Sequence, residues 1–123
     1  MLLIDANVIL RYLLNDDETM SRQAWEAVGN GAYTTVEVLA EVVYVLKGVY
    51  RSQREEIRDW LTALLDEIML ENKQSVVYAL KVYGETSLDF VDCLLIAYNR
   101  ILGRKVLTFD KKLKRLLAMD SER

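Results

Sequence analysis

Four acidic residues from distant parts of the chain are placed to act together: Asp5, Glu41, Asp92 and Asp110. Asp5 directly follows the apolar residues 2–4, and Asp110 directly follows "KVLTF", a segment typical of a β-strand. Because the carboxyl ends of parallel strands meet at one edge of a sheet, we expect these two acids at the same edge. Carboxylates crowded together repel one another unless a cation is bound, and hard oxygen ligands suit Mg²⁺ or Mn²⁺.

The composition narrows the chemistry available to such a site. The chain has no histidine and a single cysteine. These counts exclude a Ser-His-Asp or Cys-His catalytic group, an HExxH zinc site and a cysteine-based zinc site. Carboxylates that bind a divalent cation can hydrolyse a phosphodiester bond without histidine. The acids and the composition therefore predict metal-assisted phosphodiester hydrolysis.

Three of the acids also have a purely structural interpretation. Asp5 and Asp110 could each cap the N-terminus of the following helix. Glu41 interrupts the apolar segment "VLAEVVYVL", but it could share a solvated helical stripe with Glu37 and Tyr44. Both interpretations remain open from the sequence for each of these positions.

Asp89 and Asp92 lie three residues apart, on one face of a predicted helix start. We assign Asp89 to helix capping and Asp92 to the site. Asp92 lies deeper in the apolar segment "VDCLLIA", where a charge otherwise gains little.

The elements that must position these acids alternate between strands and helices, which predicts an α/β fold with a central, mainly parallel sheet and helices on both faces. A length of 123 residues and 52% hydrophobic residues suit a single domain over residues 1–123. In chain order, we predict a strand at 2–4, helices over 7–28 with a break at "NDDET", a strand "AYTT", a helix from the capping box "TTVE" to about Gly48, a helix over 51–68, a weak strand at 69–71, a helix over 74–84, a helix in "TSLDFVDCLLIAYNRILG", a strand "KVLTF" and a helix "KKLKRLL".

Charge and hydropathy indicate the surroundings in which the protein works. No apolar run approaches the roughly 20 residues of a membrane span, and the N-terminus lacks signal-peptide features, so we expect a soluble, intracellular protein. A net charge of -3 argues against an overall basic surface, yet residues 104–115 carry six basic residues and one acid. This basic run is either a solvated face or a place where nucleic-acid phosphates bind.

Four motifs together resemble those of the PIN-domain ribonucleases, specifically the VapC toxins of type II toxin–antitoxin pairs. They are "LLIDANVIL", "TTVEVLAEVVYVL", "LDFVDCLLIAY" and "VLTFDKKLKRL", and they cover essentially the whole chain in order. The resemblance implies a three-layer α/β/α fold with four or five short strands. It also implies a cytoplasmic, Mg²⁺- or Mn²⁺-dependent endoribonuclease that cleaves single-stranded RNA, usually dimerises and is neutralised by a VapB antitoxin.

Carried over position by position, the resemblance assigns roles to residues of this chain. The metal-binding, catalytic acids would be Asp5, Glu41, Asp92 and Asp110, and the supporting positions would be Asn7, Asp89 and Thr108. The basic residues expected to bind RNA are Arg11, Arg104, Lys105, Lys111 and Lys112. One departure is that no fifth strand is evident after Asp110, which affects the C-terminal architecture but not the acidic site.

Two other functions compete with this prediction. A receiver-type phosphoacceptor domain would need an acidic pair after the first strand and a lysine after the last, whereas this chain has Asp5 alone and Asp110 at those places. A non-catalytic PIN-like module that binds RNA or protein would not need all four acids. Trp25 and Trp60 are expected to pack in the core or a dimer interface rather than stack on bases, and Cys93 to be a small buried apolar residue.

Overall fold

The computed structural model describes residues 1–119. In this part of the chain, two short strands and seven helices follow one another. They are β1 (Leu2–Leu3), α1 (Ala6–Leu14), α2 (Glu18–Gly29), β2 (Ala32–Tyr33), α3 (Val36–Gly48), α4 (Arg54–Leu64), α5 (Lys73–Glu85), α6 (Phe90–Leu102) and α7 (Lys111–Leu117). Each predicted helix is present, with ends that differ by a few residues.

The sheet is parallel, as predicted, but smaller than expected. Leu2 of β1 lies opposite Ala32 of β2, and Leu3 lies opposite Tyr33. The weak strand predicted at residues 69–71 is reduced to one isolated parallel bridge between Tyr33 and Met69. The α/β class is therefore supported, whereas a sheet of four or five strands is not confirmed among residues 1–119.

The prediction of a strand in "KVLTF" is wrong for this structure, because residues 105–109 form no strand ladder. Leu107 and Phe109 are each 86% exposed, whereas Val106 and Thr108 are half-buried. Residues with a high β-propensity make a strand only where a neighbouring backbone supplies hydrogen bonds, and that partner is not encoded in the segment itself.

The break predicted at "NDDET" separates α1 from α2. Asn15 follows α1 in the left-handed conformation, with φ 51°, which ends that helix. Asp17 then caps α2, since its side chain accepts a 2.9 Å hydrogen bond from the amide of Met20. Short polar side chains thus stop one helix and start the next within a few residues.

The capping box predicted from Thr34 and Glu37 does not form, and the cap of α3 lies one residue later. Thr35 caps α3, because its hydroxyl accepts a 3.2 Å hydrogen bond from the amide of Val38. The hydroxyl of Thr34 instead donates a 2.9 Å bond to the carbonyl oxygen of Ile4, at the end of β1. The two adjacent threonines therefore have separate tasks: one begins a helix, and the other joins the ends of the two strands.

The core is formed mainly by the helices, and α5 packs between α4 and α6. Cys93 is fully buried, as predicted. Trp25 and Trp60 remain 46% and 37% exposed, so neither is a core residue in this structure. Among the largest fully buried side chains are Ile9, Leu39, Leu61, Leu80, Phe90, Ile96 and Leu113. Within the described residues, no helix has both the length and the apolar character needed to cross a membrane.

Arg100 attaches α7 to the rest of the structure. Its guanidinium donates a 2.9 Å hydrogen bond to the hydroxyl of Tyr78 on α5 and a 2.8 Å bond to the carbonyl oxygen of Leu116 on α7. Leu113 on α7 is 1% exposed and packs into the core. These contacts fix the position of α7 and therefore of Asp110, which lies at its N-terminus.

We expect Tyr12→Phe to lower the free energy of unfolding by about 1 kcal/mol at pH 8. The Tyr12 hydroxyl donates to the Glu67 carboxylate; this bond, burial and the charge of Glu67 raise the pKa of Tyr12 from 10.0 to about 12. Because the folded protein favours the neutral Tyr12 hydroxyl, this hydrogen bond stabilises it fully below pH 10. The stabilisation is lost as the pH rises towards 12 and the hydroxyl ionises. Urea unfolding of the wild type and of Tyr12→Phe at pH 8 and at pH 11 measures the difference in their free energies of unfolding. The difference should be smaller at pH 11, and an equal difference at both pH values would contradict the prediction.

Candidate active site

The start of α6 carries Asp92, whose carboxylate is influenced by the charges of two other acids. Asp89 occupies the N-cap position of α6, and Asp92 lies in its first turn. Burial, followed by the negative charges of Asp89 and Asp110, raises the pKa of the half-buried Asp92 above its ordinary value. A bound cation would relieve the mutual repulsion of these three carboxylates.

Asp89 lies at the capping position predicted for it but does not use its side chain as a cap. Its backbone is extended, with φ -61° and ψ 152°, and its carbonyl accepts a 3.0 Å helical hydrogen bond from the amide of Cys93. The carboxylate makes no capping hydrogen bond. The Asp89 carboxylate is therefore available to influence Asp92.

Asp110 caps α7 and is itself supported by Thr108. Its Oδ1 accepts a 2.8 Å hydrogen bond from the amide of Leu113, which confirms the structural interpretation of this acid. The Asp110 amide donates a 3.1 Å bond to the hydroxyl of Thr108. Capping occupies one carboxylate oxygen and leaves Oδ2 for another partner, so it is compatible with binding a cation.

Asp5 lies at the carboxyl end of β1, as predicted, and caps α1. Its Oδ1 accepts a 3.0 Å hydrogen bond from the amide of Val8. The preceding residue, Ile4, donates its amide to Tyr33 and accepts a bond from the Thr34 hydroxyl. The backbone next to Asp5 is thus held to the second strand by two hydrogen bonds, so its position depends on the pairing of both strands.

Thr34 is a supporting residue that the sequence prediction missed. It is only 3% exposed, and its hydroxyl holds the end of β1. The signal in the sequence was the pair Thr34–Thr35, which offers two hydroxyl groups where a helix cap needs one. The structure shows that the second hydroxyl binds the carbonyl oxygen of Ile4, which is thirty residues away in the sequence.

Glu41 lies on the exposed face of α3. The core side of this helix is formed by Leu39, Val42, Val43 and Leu46. Glu37 and Tyr44 are exposed, as is Glu41, so the three share the solvated face expected from the structural interpretation. Exposure leaves the Glu41 carboxylate accessible to a ligand, and the sequence pattern alone could not choose between the two roles.

The donor chemistry at Asp92 fits a hard divalent cation. Among residues 1–119, no three acidic or cysteine side chains converge as a ready-made metal site, and Asp5 and Glu41 are not drawn into such a group. Mg²⁺ usually keeps several waters and is bound by one or two carboxylates together with substrate phosphates. Asp92, which feels the negative charges of Asp89 and Asp110, supplies a carboxylate of the type that such an ion binds.

The comparisons with known proteins identify the family. The PIN domain family matches residues 2–117 of the chain. The chain belongs to the PIN-domain family. It is 30% identical over 124 residues to a VapC ribonuclease of Aquifex aeolicus (strain VF5), an alignment that covers 94% of this chain and 92% of the relative. No solved structure gives a significant match. The resemblance inferred from the four motifs is therefore confirmed.

In this PIN domain, Asn7 and Arg11 lie on α1, after Asp5. Asn7 is exposed near the start of the helix. Arg11 donates a 3.2 Å hydrogen bond to the hydroxyl of Tyr50, and its Nε lies 3.3 Å from the carboxylate of Asp16. The Arg11 guanidinium is thus engaged by protein partners, and it must exchange one of them to bind a phosphate.

The other basic residues predicted to bind RNA flank Asp110 in this PIN domain and are exposed. Arg104 and Lys105 precede it, and Lys111 and Lys112 form the first turn of α7. The Arg104 guanidinium lies 5.6 Å from the centre of the Tyr98 ring, which keeps this side chain close to α6. A positive surface therefore borders the acid at the start of α7.

Proposed function

We propose that the protein is a Mg²⁺- or Mn²⁺-dependent endoribonuclease that cleaves single-stranded RNA, and that it acts as a VapC-type toxin. The observation that carries this proposal is the 30% identity to a VapC ribonuclease across 94% of the chain. The raised pKa of Asp92 also supports it: burial is the first cause and the charges of Asp89 and Asp110 add to it, and a bound cation would favour the charged carboxylate in these surroundings.

In the proposed site, Asp5, Glu41, Asp92 and Asp110 would hold the metal. A bound divalent ion would supply positive charge beside the phosphodiester and lower the pKa of the attacking water. Asp5 and Asp110 are oriented by their own capping hydrogen bonds, each of which leaves one carboxylate oxygen for the ion. The site needs no histidine, which agrees with a chain that contains none.

Three supporting residues affect the position, the charge or the surroundings of these acids. Thr108 fixes the backbone of Asp110 through its hydroxyl. Asp89 adds negative charge beside Asp92 and so strengthens the attraction for a cation. Asn7, which is exposed close to Asp5, offers a neutral polar side chain to the substrate or to water at the site.

The basic residues around Asp110 hold the RNA backbone in this proposal. Arg104, Lys105, Lys111 and Lys112 are exposed and neighbour the acid in the chain, and Arg11 extends the positive surface from α1. Phosphate contacts of this kind position a nucleic acid without reading its sequence, and they weaken as salt is added.

The proposal also covers architecture and partners. It assigns residues 1–123 to one three-layer domain with four or five strands, working in the cytoplasm as a homodimer that a VapB-like antitoxin neutralises.

Leu2 and Leu3 of β1 are 60% and 56% exposed, and Leu107 and Phe109 are more exposed still. Large exposed apolar residues of this kind are typical of surfaces that another strand or subunit covers.

Removal of metal is the direct test. We expect the purified protein, free of antitoxin, to cleave labelled RNAs that contain single-stranded loops in the presence of Mg²⁺ or Mn²⁺. Cleavage should stop in EDTA and return when Mn²⁺ is added in excess. Cleavage that persists in EDTA would contradict the metal dependence. RNA binding without cleavage under every metal condition would favour the non-catalytic PIN-like module instead.

A further inference from the structure

Arg54, the first residue of α4, joins the end of α5 to the start of α6. Its Nε donates a 2.9 Å hydrogen bond to the carbonyl oxygen of Tyr83 on α5, and its Nη2 donates to the carbonyl oxygen of Leu88. The guanidinium carbon lies 3.7 Å from the centre of the Tyr83 ring. One half-buried cation therefore contacts both sides of the turn that leads into α6.

This arrangement depends on the shape of a guanidinium group. The two carbonyl oxygens belong to residues on opposite sides of the turn, and the planar fork of arginine can donate to both while its face packs on the ring. Lysine carries the same charge on a compact ammonium group that lacks the fork and does not stack in this way. The contacts are therefore specific to arginine and not merely to positive charge.

The turn held by Arg54 ends at the acids of the candidate site. Leu88, whose carbonyl accepts from Arg54, directly precedes Asp89, and Asp92 lies in the first turn of the same helix. The Asp89 side chain does not cap α6, so the helix start lacks the local hydrogen bond that fixes Asp5 and Asp110. The buried side chain of Leu88 and the Arg54 hydrogen bond locate it instead, together with a 3.3 Å bond from the Leu88 amide to the Thr86 hydroxyl and a 3.8 Å bond from the Cys93 thiol to the Leu88 carbonyl.

We propose that Arg54 is a positioning residue that holds the start of α6 so that Asp89 and Asp92 are placed for a divalent cation beside Asp110. The inference rests on the proposed function, since it concerns the same metal site. Arg54 touches neither the metal nor the RNA in this arrangement. It acts through the carbonyl oxygens of Tyr83 and Leu88.

The test measures binding of Mn²⁺ alone, without RNA, from the electron paramagnetic resonance signal of the free ion. Arg54→Gln removes the charge and the fork, and we expect its Mn²⁺ affinity to fall about 10-fold or more, the scale on which loss of groups that orient metal ligands weakens binding. Arg54→Lys keeps the charge and should have an intermediate affinity. In RNA cleavage, kcat should fall more than KM rises, because the RNA-binding residues are unchanged.

Two variants serve as controls. Arg22→Gln makes the same chemical change on α2, at a residue that pairs with the exposed Glu18, and it should bind Mn²⁺ as the wild type does. Ile57→Val shortens a fully buried side chain, so it lowers stability modestly, and it keeps the Arg54 side chain that donates to the turn. It should also leave Mn²⁺ affinity unchanged, which separates positioning from general stability.

The outcomes distinguish this inference from the proposed function. Wild-type affinity in both Arg54 variants overturns the inference alone, and so does an equal loss of affinity in Ile57→Val. If Arg54→Gln does not fold, the comparison of Arg54→Lys with Ile57→Val decides in the same way. A wild-type protein that binds no Mn²⁺ overturns the proposed function, and with it the role of Arg54.

Discussion

Replacing Asp92 by Asn is expected to reduce RNA cleavage by on the order of 1000-fold without lowering stability. The amide keeps the shape of the side chain but removes the negative charge that attracts a divalent ion, and metal catalysis is worth several kcal/mol of barrier. The pKa of Asp92 is raised in the folded protein by burial and by Asp89 and Asp110, so its charged form is disfavoured there. A neutral Asn should therefore be tolerated, and thermal unfolding at neutral pH should occur at the same or a higher temperature.

Two further variants make this prediction specific. Asp5→Asn should also abolish cleavage while α1 remains intact, because Asn caps a helix about as well as Asp. Asp59→Asn changes an exposed acid that pairs with Arg58 on α4, and it should cleave RNA at the wild-type rate. Undiminished cleavage by Asp92→Asn, measured as kcat/KM on one labelled RNA, would show that the metal site has been assigned wrongly.

Phe90→Ala is expected to cause the largest loss of stability, about 3–5 kcal/mol. Phe90 is fully buried at the first position of α6. Its ring meets the Tyr83 ring edge to face, with centroids 6.0 Å apart and an angle of 82° between the planes. Truncation removes this contact and leaves a cavity beneath the helix start that carries Asp89 and Asp92. Chemical denaturation, followed by circular dichroism, measures the change.

The second phenylalanine of the chain is the matched control. Phe109 is 86% exposed, so Phe109→Ala should change the free energy of unfolding by no more than about 0.5 kcal/mol. The two variants remove the same side chain, and they differ only in its surroundings. Equal losses of stability would contradict the burial difference between the two positions.

Local features of the sequence were sufficient to predict the helices. The polar residues of "NDDET" separate α1 from α2, and Gly103, with φ 69°, ends α6. A helix cap is a hydrogen bond between residues about three apart, so its signal lies within a few letters of the sequence. Even so, the choice between Thr34 and Thr35 as the cap of α3 depended on what Thr34 binds in β1.

The sheet could not be predicted in the same way, because its hydrogen bonds join distant residues. Leu3 and Tyr33 are thirty residues apart and do pair. The more strand-like segment "KVLTF" has no ladder among residues 1–119. Strand propensity describes how a segment fits a sheet that already exists, and it does not say which backbone will supply the partner.

By itself, the sequence was sufficient to recognise the PIN family from four motifs and to exclude histidine-based catalysis, because the chain contains no histidine. Only the tertiary structure showed that the charge of Asp110 acts on Asp92, and that Arg54 holds the turn before α6. Residue types and the hydrogen bonds of helix caps depend only on residues that are close together in the sequence. The distance between a carboxylate on α6 and another at the start of α7 depends on how the helices pack, which no short stretch contains.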